Sequence, residues 1–240
     1  MHGRWYNDAC GTAFALEVLG ERWSLLVVRE LLLGGRRFSE LRASLPGISA
    51  KALTERLEGL EAAGVVRRSE LERLPGVRLY ELTEWGKKSD AAIIELGRWA
   101  ARSPQHDPTL PLSAVSLMLS FRTMFDARRA AALSLVGVVR VGTESFAVRV
   151  ADGKLAIRRG RSGAATFTLA APDARMIASA VYGRAKLAAL ARLEVHGDEA
   201  AARTYVGLFH QPNHLPSHLP NHLPNHLPSH LPSSGRRGRQ

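Results

Sequence analysis

Leucines 53, 57 and 60 recur at i, i+4 and i+7, and immediately after Gly64 the apolar period shortens to β-like runs. That switch fixes a helix followed by strands within some thirty residues, which few small folds accommodate. Upstream, Phe14, Leu16, Val18 and Leu19 precede Gly20, and Trp23, Leu25, Leu26, Val27, Leu31 and Leu32 precede Gly34-Gly35, giving two apolar helical segments with glycine stops, both expected to be largely buried. A short segment from Phe38 to Leu45 is cut by Pro46-Gly47, and Ser49 opens the stretch Ala50 to Ala63, which Gly64 closes. The β-like runs Val65 to Arg68 and Val77 to Leu82 flank Leu74-Pro75-Gly76 and predict a hairpin.

Two helices around a glycine-bearing turn, then a hairpin, predict a winged helix-turn-helix over Cys10 to Leu82, and with it double-stranded DNA as partner. If the three leucines face inward, Lys51, Thr54, Glu55 and Glu58 face outward. The expected roles follow from side-chain chemistry. Lys51 and Thr54 with Ser49 meet base edges and nearby phosphates, and Glu55 accepts from cytosine. Arg36, Arg37, Arg73 and Arg78 hold the phosphate backbone, and Ser39 completes the candidate DNA-binding set. Arginines 67, 68, 73 and 78 in the hairpin suit an element lying along phosphates; the same residues would also protect a solvated edge strand from pairing with another chain.

The ordered motifs Cys10-Gly-Thr-Ala-Phe-Ala-Leu-Glu-Val-Leu-Gly-Glu-Arg-Trp-Ser-Leu-Leu, Arg29-Glu-Leu-Leu, Arg37-Phe-Ser-Glu-Leu, Leu45-Pro-Gly-Ile-Ser, Leu53-Thr-Glu-Arg-Leu and Tyr80-Glu-Leu-Thr resemble the HxlR-type transcriptional regulators over residues 8 to 101. The resemblance implies a homodimer that places a recognition helix and wing from each subunit on DNA. Trp5, Tyr6, Ile93, Ile94, Leu96 and Trp99 are apolar positions available for the dimer contact, or for packing on their own domain. It also implies a role for Cys10, since several such proteins carry a cysteine at the corresponding place and some use it to sense oxidants or electrophiles. Cys10 stands where the first helix begins, and backbone amides at a helix N-terminus stabilise a thiolate. The alternative for Cys10 is a small, inert buried side chain. As the sole cysteine it leaves no intramolecular disulfide, and an intersubunit disulfide is the output expected of a redox role.

The net charge of +11 is a weaker guide than it looks. Residues 1–105 hold 16 Lys and Arg against 14 Asp and Glu, whereas residues 106–211 hold 14 against 8, so the excess lies mostly outside the predicted DNA-binding segment. The longest uncharged apolar stretch, Leu110 to Phe121, is too short to span a bilayer, so a cytoplasmic protein with no membrane partner is expected.

Prolines 104, 108 and 111 mark a linker, after which a second domain begins. Ser113 to Asp126 reads as helix. Strands follow at Leu133–Val141, Ser145–Val150, Leu155–Arg159 and Ala165–Ala170, with the alternation of an antiparallel meander. A helix from Pro172 through Val181 breaks at Gly183 and resumes over Ala185 to Leu190; a strand at Leu193-Glu-Val and a last helix, Glu199 to Phe209, close the domain. This order, with Val150-Ala-Asp-Gly-Lys-Leu, Ala165-Thr-Phe-Thr-Leu, Tyr182-Gly-Arg and Leu193-Glu-Val-His-Gly-Asp, resembles the sterol-carrier-protein fold over about residues 112 to 209. The resemblance implies an apolar tunnel for a hydrophobic small molecule or lipid, which Met118, Phe121, Phe125, Phe146, Phe167, Met176 and Tyr182, with Met124 and Ile177, would line; the same spacing also fills a solid core. No nucleophile-base pair or metal-ligand spacing is present there, so no catalytic residue, metal or cofactor is expected. Arg158, Arg159 and Arg161 around Gly160 suit a solvated rim or the head group of an anionic ligand.

From Asn213 the chain repeats Asn/Ser-His-Leu-Pro five times, and a proline every fourth residue forbids helix and strand ladders, so a disordered tail is expected. The fold class is therefore α+β. Residues 1–103 form a winged helix-turn-helix domain, 104–111 a linker, 112–210 a sterol-carrier-protein-like domain with a mainly antiparallel sheet, and 211–240 a tail. The function expected is a homodimeric, ligand-responsive transcriptional regulator. The alternatives are a hydrophobic-molecule carrier that uses its winged helix for dimerisation, and a thiol-based sensor.

Overall fold

In the computed structural model, which describes residues 6–71, 74–183 and 193–210, Leu53, Leu57 and Leu60 all point inward from a helix spanning Ala50–Ala62. The helices before it are α1 (Gly11–Leu19), α2 (Ser24–Leu31) and α3 (Phe38–Ser44), which makes the leucine-bearing helix α4. Its end is set by chemistry local to Gly64: this residue sits at φ +72, and Val65 and Gly64 donate back to the carbonyls of Leu60 and Glu61 at 2.9 Å each. That left-handed turn satisfies the last carbonyls of α4 and sends the chain into β1 (Val66–Leu71), antiparallel to β2 (Leu74–Leu82). Leu41 and Val27, buried on α3 and α2, complete the core beneath the leucines.

α1 departs from expectation. Only Ala13 is buried, while Phe14 and Leu16 keep 52% and 47% of their surface exposed. Its apolar residues are spread around the helix instead of forming a stripe, and no element among the described residues covers the outer ones. α2 is buried as expected.

After β2 come α5 (Glu84–Lys87), α6 (Asp90–Ala100) and α7 (Ala114–Met124). The second unit continues through β3 (Leu135–Val141), β4 (Glu144–Ala151), β5 (Lys154–Arg159), β6 (Phe167–Ala171), α8 (Ala174–Tyr182), β7 (Glu194–Gly197) and α9 (Glu199–Val206). Its sheet runs β5-β4-β3-β6-β7. β3, β4 and β5 form the expected meander, but β6 is parallel to β3 and β7 antiparallel to β6. Alternation along a strand says which face is buried and not which neighbour it pairs with, so the crossover to the far edge of β3 was invisible in the sequence. At Gly137 on β3 a Cβ would lie 2.2 Å from the Phe167 ring, so only glycine admits that ring against the strand.

The aromatic residues form a packed interior. Phe121 stacks on Phe209 with ring centroids 4.5 Å apart, Tyr205 meets Phe209 edge-on at 4.9 Å, and Phe167 lies 5.4 Å from Tyr205. Met118, Phe121, Phe146 and Phe167 are fully buried in this cluster, with Phe125 and Met176 packed against its edge. Four of these side chains are core and two pack against it, so the spacing that suggested a tunnel lining is met here by a packed interior. Helical and alternating spacing tells that a side chain points inward, but ring-on-ring contact fills the space it points into.

The two units share a seam. α6 lies against α7, where Arg122 grips Asp90 with two hydrogen bonds of 2.8 and 2.6 Å and Arg98 Nε donates to the Thr123 carbonyl at 3.2 Å. Ile94 belongs to the core of the second unit and Ile93 packs on that of the first, so neither is free for a dimer contact, unlike Leu96 and Trp99, exposed at 45% and 70%. Tyr6 is also exposed; Trp5, the wing tip with Arg73, the helix expected at 185–190 and the His-Leu-Pro tail lie outside the described residues.

Candidate nucleic-acid interface

Ser49 starts α4 in extended conformation, and its hydroxyl oxygen accepts from the backbone N–H of Ala52 at 3.1 Å. The cap fixes where the helix begins, and hence which residues occupy its outward first turns. Lys51, Thr54, Glu55 and Glu58 are exposed there, as the leucine spacing requires. Lys51 Nζ is 3.9 Å from Glu55 with its side chain 87% exposed, a pair too solvated to hold it back from a phosphate. Arg56, on the flank, is drawn off to Glu21 at 2.5 Å. Ser49 is therefore first of all the cap of the helix, with its hydroxyl proton still exposed.

At the start of α3 the exposed N-cap Arg37 and Ser39 stand about two turns before the break at Pro46-Gly47. Glu40 accepts from the Arg37 backbone N–H at 2.8 Å and from its guanidinium at 2.8 and 3.1 Å. Partial burial, the largest single influence on Glu40, pushes its pKa up, but the Arg37 hydrogen bonds and the charges of Arg37 and Arg36 outweigh it and hold the carboxylate below its usual range. In the wing, Arg67 pairs with Glu81 at 3.1 Å, Arg68 pairs with Glu61 at 3.0 Å and lies over the Tyr80 ring, and Arg78 is exposed with no partner among the described residues.

Arg36 does something else. It is 5% exposed and reaches across the seam to Glu144 at the start of β4, with bonds of 3.1 and 3.3 Å. Its backbone exchanges hydrogen bonds with Tyr80 at 3.0 and 2.8 Å, which ties the α2–α3 connection to the wing and turns its side chain away from the surface that Arg37 presents. The phosphate contact expected of Arg36 is thus corrected to an interdomain ion pair. Glu30, fully buried on α2, lies beside it, accepting from Arg29 at 2.8 Å and from Ser113 at 2.7 Å, with Arg36 at 3.9 Å. The sequence did carry a signal for this group: an Arg-Glu pair inside the apolar run of α2 has to meet partners if that helix is buried.

Cys10 is exposed at the N-terminus of α1. The backbone N–H of Thr12, then that of Ala13, lowers its thiol pKa. The packing alternative, a buried thiol, does not apply. Of the residues expected to line a ligand space, Tyr182 and Met124 open onto a cleft of about 1710 Å³ between the two units. The Tyr182 hydroxyl bonds Ser120 at 2.9 Å, and burial raises its pKa.

The sequence profile of the HxlR-like helix-turn-helix family matches residues 18–107. The helix-turn-helix regulator YvaP of Bacillus subtilis, itself uncharacterized, is 42% identical over 86 residues, which are 36% of this chain and 80% of that protein. The chain belongs to the HxlR-like helix-turn-helix family. Another relative of this HxlR-like chain, the transcriptional regulator YodB of B. subtilis, is 40% identical over 86 residues, 36% of this chain and 77% of that protein. The reduced form of YodB, as a solved structure, is 35% identical and covers 42% of this chain and all of its own, at a TM-score of 0.37. The HxlR-like family consists of DNA-binding transcriptional regulators and not enzymes. The profile stops at residue 107, so the unit beyond it rests on its own geometry. No helix among the described residues of this HxlR-like chain is long and apolar enough to cross a membrane.

Proposed function

We propose that this chain regulates transcription as a homodimer, reading an operator through Lys51, Thr54 and Glu55 on α4 and holding the DNA backbone with Arg37, Ser39, Ser49 and Arg78. The observation that carries the reading is the exposed first turns of α4, capped by Ser49 and backed by a buried leucine face, next to a wing whose Arg78 is unpaired among the described residues. Phe14 and Leu16 on α1 and Leu96 and Trp99 on α6 supply uncovered apolar surface for a second copy. The second unit is read as a sterol-carrier-protein-like domain answering to a small hydrophobic ligand; the strand order β5-β4-β3-β6-β7 under three helices supports it. The test is enrichment of genomic fragments on the full chain, followed by footprinting. A discrete palindrome with half-sites about one helical turn apart, bound less tightly by Lys51→Ala and Arg78→Ala, is expected. Absence of enrichment in a folded dimer would favour a carrier of hydrophobic molecules instead.

A second reading is favoured by the exposure and lowered thiol pKa of Cys10: a thiol switch superimposed on DNA binding. Cys10→Ser should then abolish any response of operator binding to oxidant and leave basal binding intact.

A further inference from the structure

We propose that the cleft between the two units binds an amphipathic organic anion, a carboxylate carrying an apolar chain, with Arg159 as the residue that takes the carboxylate. This rests on reading the second unit as effector-binding, and it names the place and the ligand class.

The cleft has an apolar side and a cationic end. Leu110, 61% exposed, with Leu112, Leu119 and Tyr182, forms the first; Arg36 and Arg159, with the exposed Arg161 beside them, form the second. Its volume of about 1710 Å³ leaves room for a chain-bearing molecule together with water.

At the cationic end the charges do not balance. Arg29, Arg36 and Arg159 face Glu30 and Glu144, which leaves one guanidinium in excess. The excess is Arg159's by geometry. Its Nη1 donates to Glu144 Oε2, while Nε and Nη2 are out of contact with solvent and have no acceptor. Nε and Nη2 are the two donors on one edge of a guanidinium, spaced to take both oxygens of a carboxylate. The Phe146 ring, 5.0 Å from the guanidinium carbon, supports the plane of the group from beneath.

Glu144 makes the exchange possible. It is already gripped by both Nη atoms of Arg36, at 3.1 and 3.3 Å, so when Arg159 turns its free edge into the cleft, Glu144 keeps a full partner. A neutral or cationic head group gains nothing from this arrangement. Because Arg36 is also hydrogen-bonded to Tyr80 of the wing, a head group on Arg159 would be linked to the wing through Glu144 and Arg36.

The experiment is calorimetric titration of the full chain with decanoate below its micelle-forming concentration, beside decanol and decyltrimethylammonium. One decanoate per chain is expected, with both other probes roughly tenfold weaker or worse. Arg159→Gln should weaken decanoate by roughly tenfold and leave decanol unchanged, and Arg159→Lys should restore part of the loss. Leu110→Asp, a change at an exposed position that folding tolerates, should weaken decanoate as well by placing a like charge at the mouth. Equal binding of all three probes, or decanoate binding undiminished in a folded Arg159→Gln or Leu110→Asp protein, overturns the proposal. Genomic enrichment is measured separately, so a chain that selects an operator but ignores decanoate refutes the anion site alone, whereas one that binds decanoate but no operator refutes the regulator.

Discussion

The outward face of the helix-turn-helix and the seam between the two units both pair basic side chains with glutamates, and behave as opposites. On the outward face Lys51, Glu55 and Arg37 are solvated and their pairings are loose or local. At the seam Glu30 and Arg36 are buried, and each meets a partner from the other unit. Water screens the first set, so those charges are available to a ligand and contribute little to stability. The second set has lost its hydration, so each charge depends on the others. Arg36 and Arg37, adjacent in the chain, fall on either side of that line.

The comparison breaks first at Glu30. Replacing it with alanine leaves Arg36 and Arg29 short of a buried partner and is expected to cost about 3–5 kcal/mol in urea unfolding, whereas Glu55→Ala should stay within about 0.5 kcal/mol; equal losses would show that burial does not separate the two regions. Next come the neighbouring arginines. Arg36→Ala should lower stability by about 2–4 kcal/mol, while Arg37→Ala leaves the unfolding midpoint nearly unchanged and reduces the salt dependence of operator binding by about one ion. Lys51→Ala should cost about 1–3 kcal/mol in operator affinity with stability intact, measured by fluorescence anisotropy and thermal melting on the same sample. Ser49→Ala sharpens the boundary between structure and recognition: loss of the cap to Ala52 is expected to remove about 1 kcal/mol of stability, and glycine at the same position should cost less.

The smallest effect concerns Cys10. Only the thiolate reacts with iodoacetamide, so a pKa lowered by the Thr12 and Ala13 amides moves the half-maximal alkylation rate to lower pH than for a free thiol. A half-point at or above that of free cysteine would remove the basis for a thiol switch.

Most of the first unit was legible because its signals are local. Leucine spacing, the Ser49 cap and Gly64 each act within a few residues, and α4 begins and ends where they place it. The exposed face of α4 follows from the same spacing. The exposure of α1 is not legible, because its apolar residues are as apolar on a covered helix as on an uncovered one. In the second unit the strands were legible one by one, whereas the pairing of β6 with β3 depends on a crossover that leaves no mark on either strand. Of the nine candidate lining residues, seven lie in or against the core and only Tyr182 and Met124 face the cleft between the units, since inward direction is periodic but emptiness is not.

The sequence by itself determined the elements, their caps and their inward faces, together with membership in a family of DNA-binding regulators, because those depend on contacts spanning one or two helical turns and on motifs in fixed order. Only the tertiary structure decided that Arg36 belongs to the seam and Arg37 to the surface, that Glu144 is shared by two arginines 123 residues apart in the chain, and that a cleft lined by both units opens between them. Burial and charge pairing at that distance are properties of the packed chain, and no local pattern encodes them.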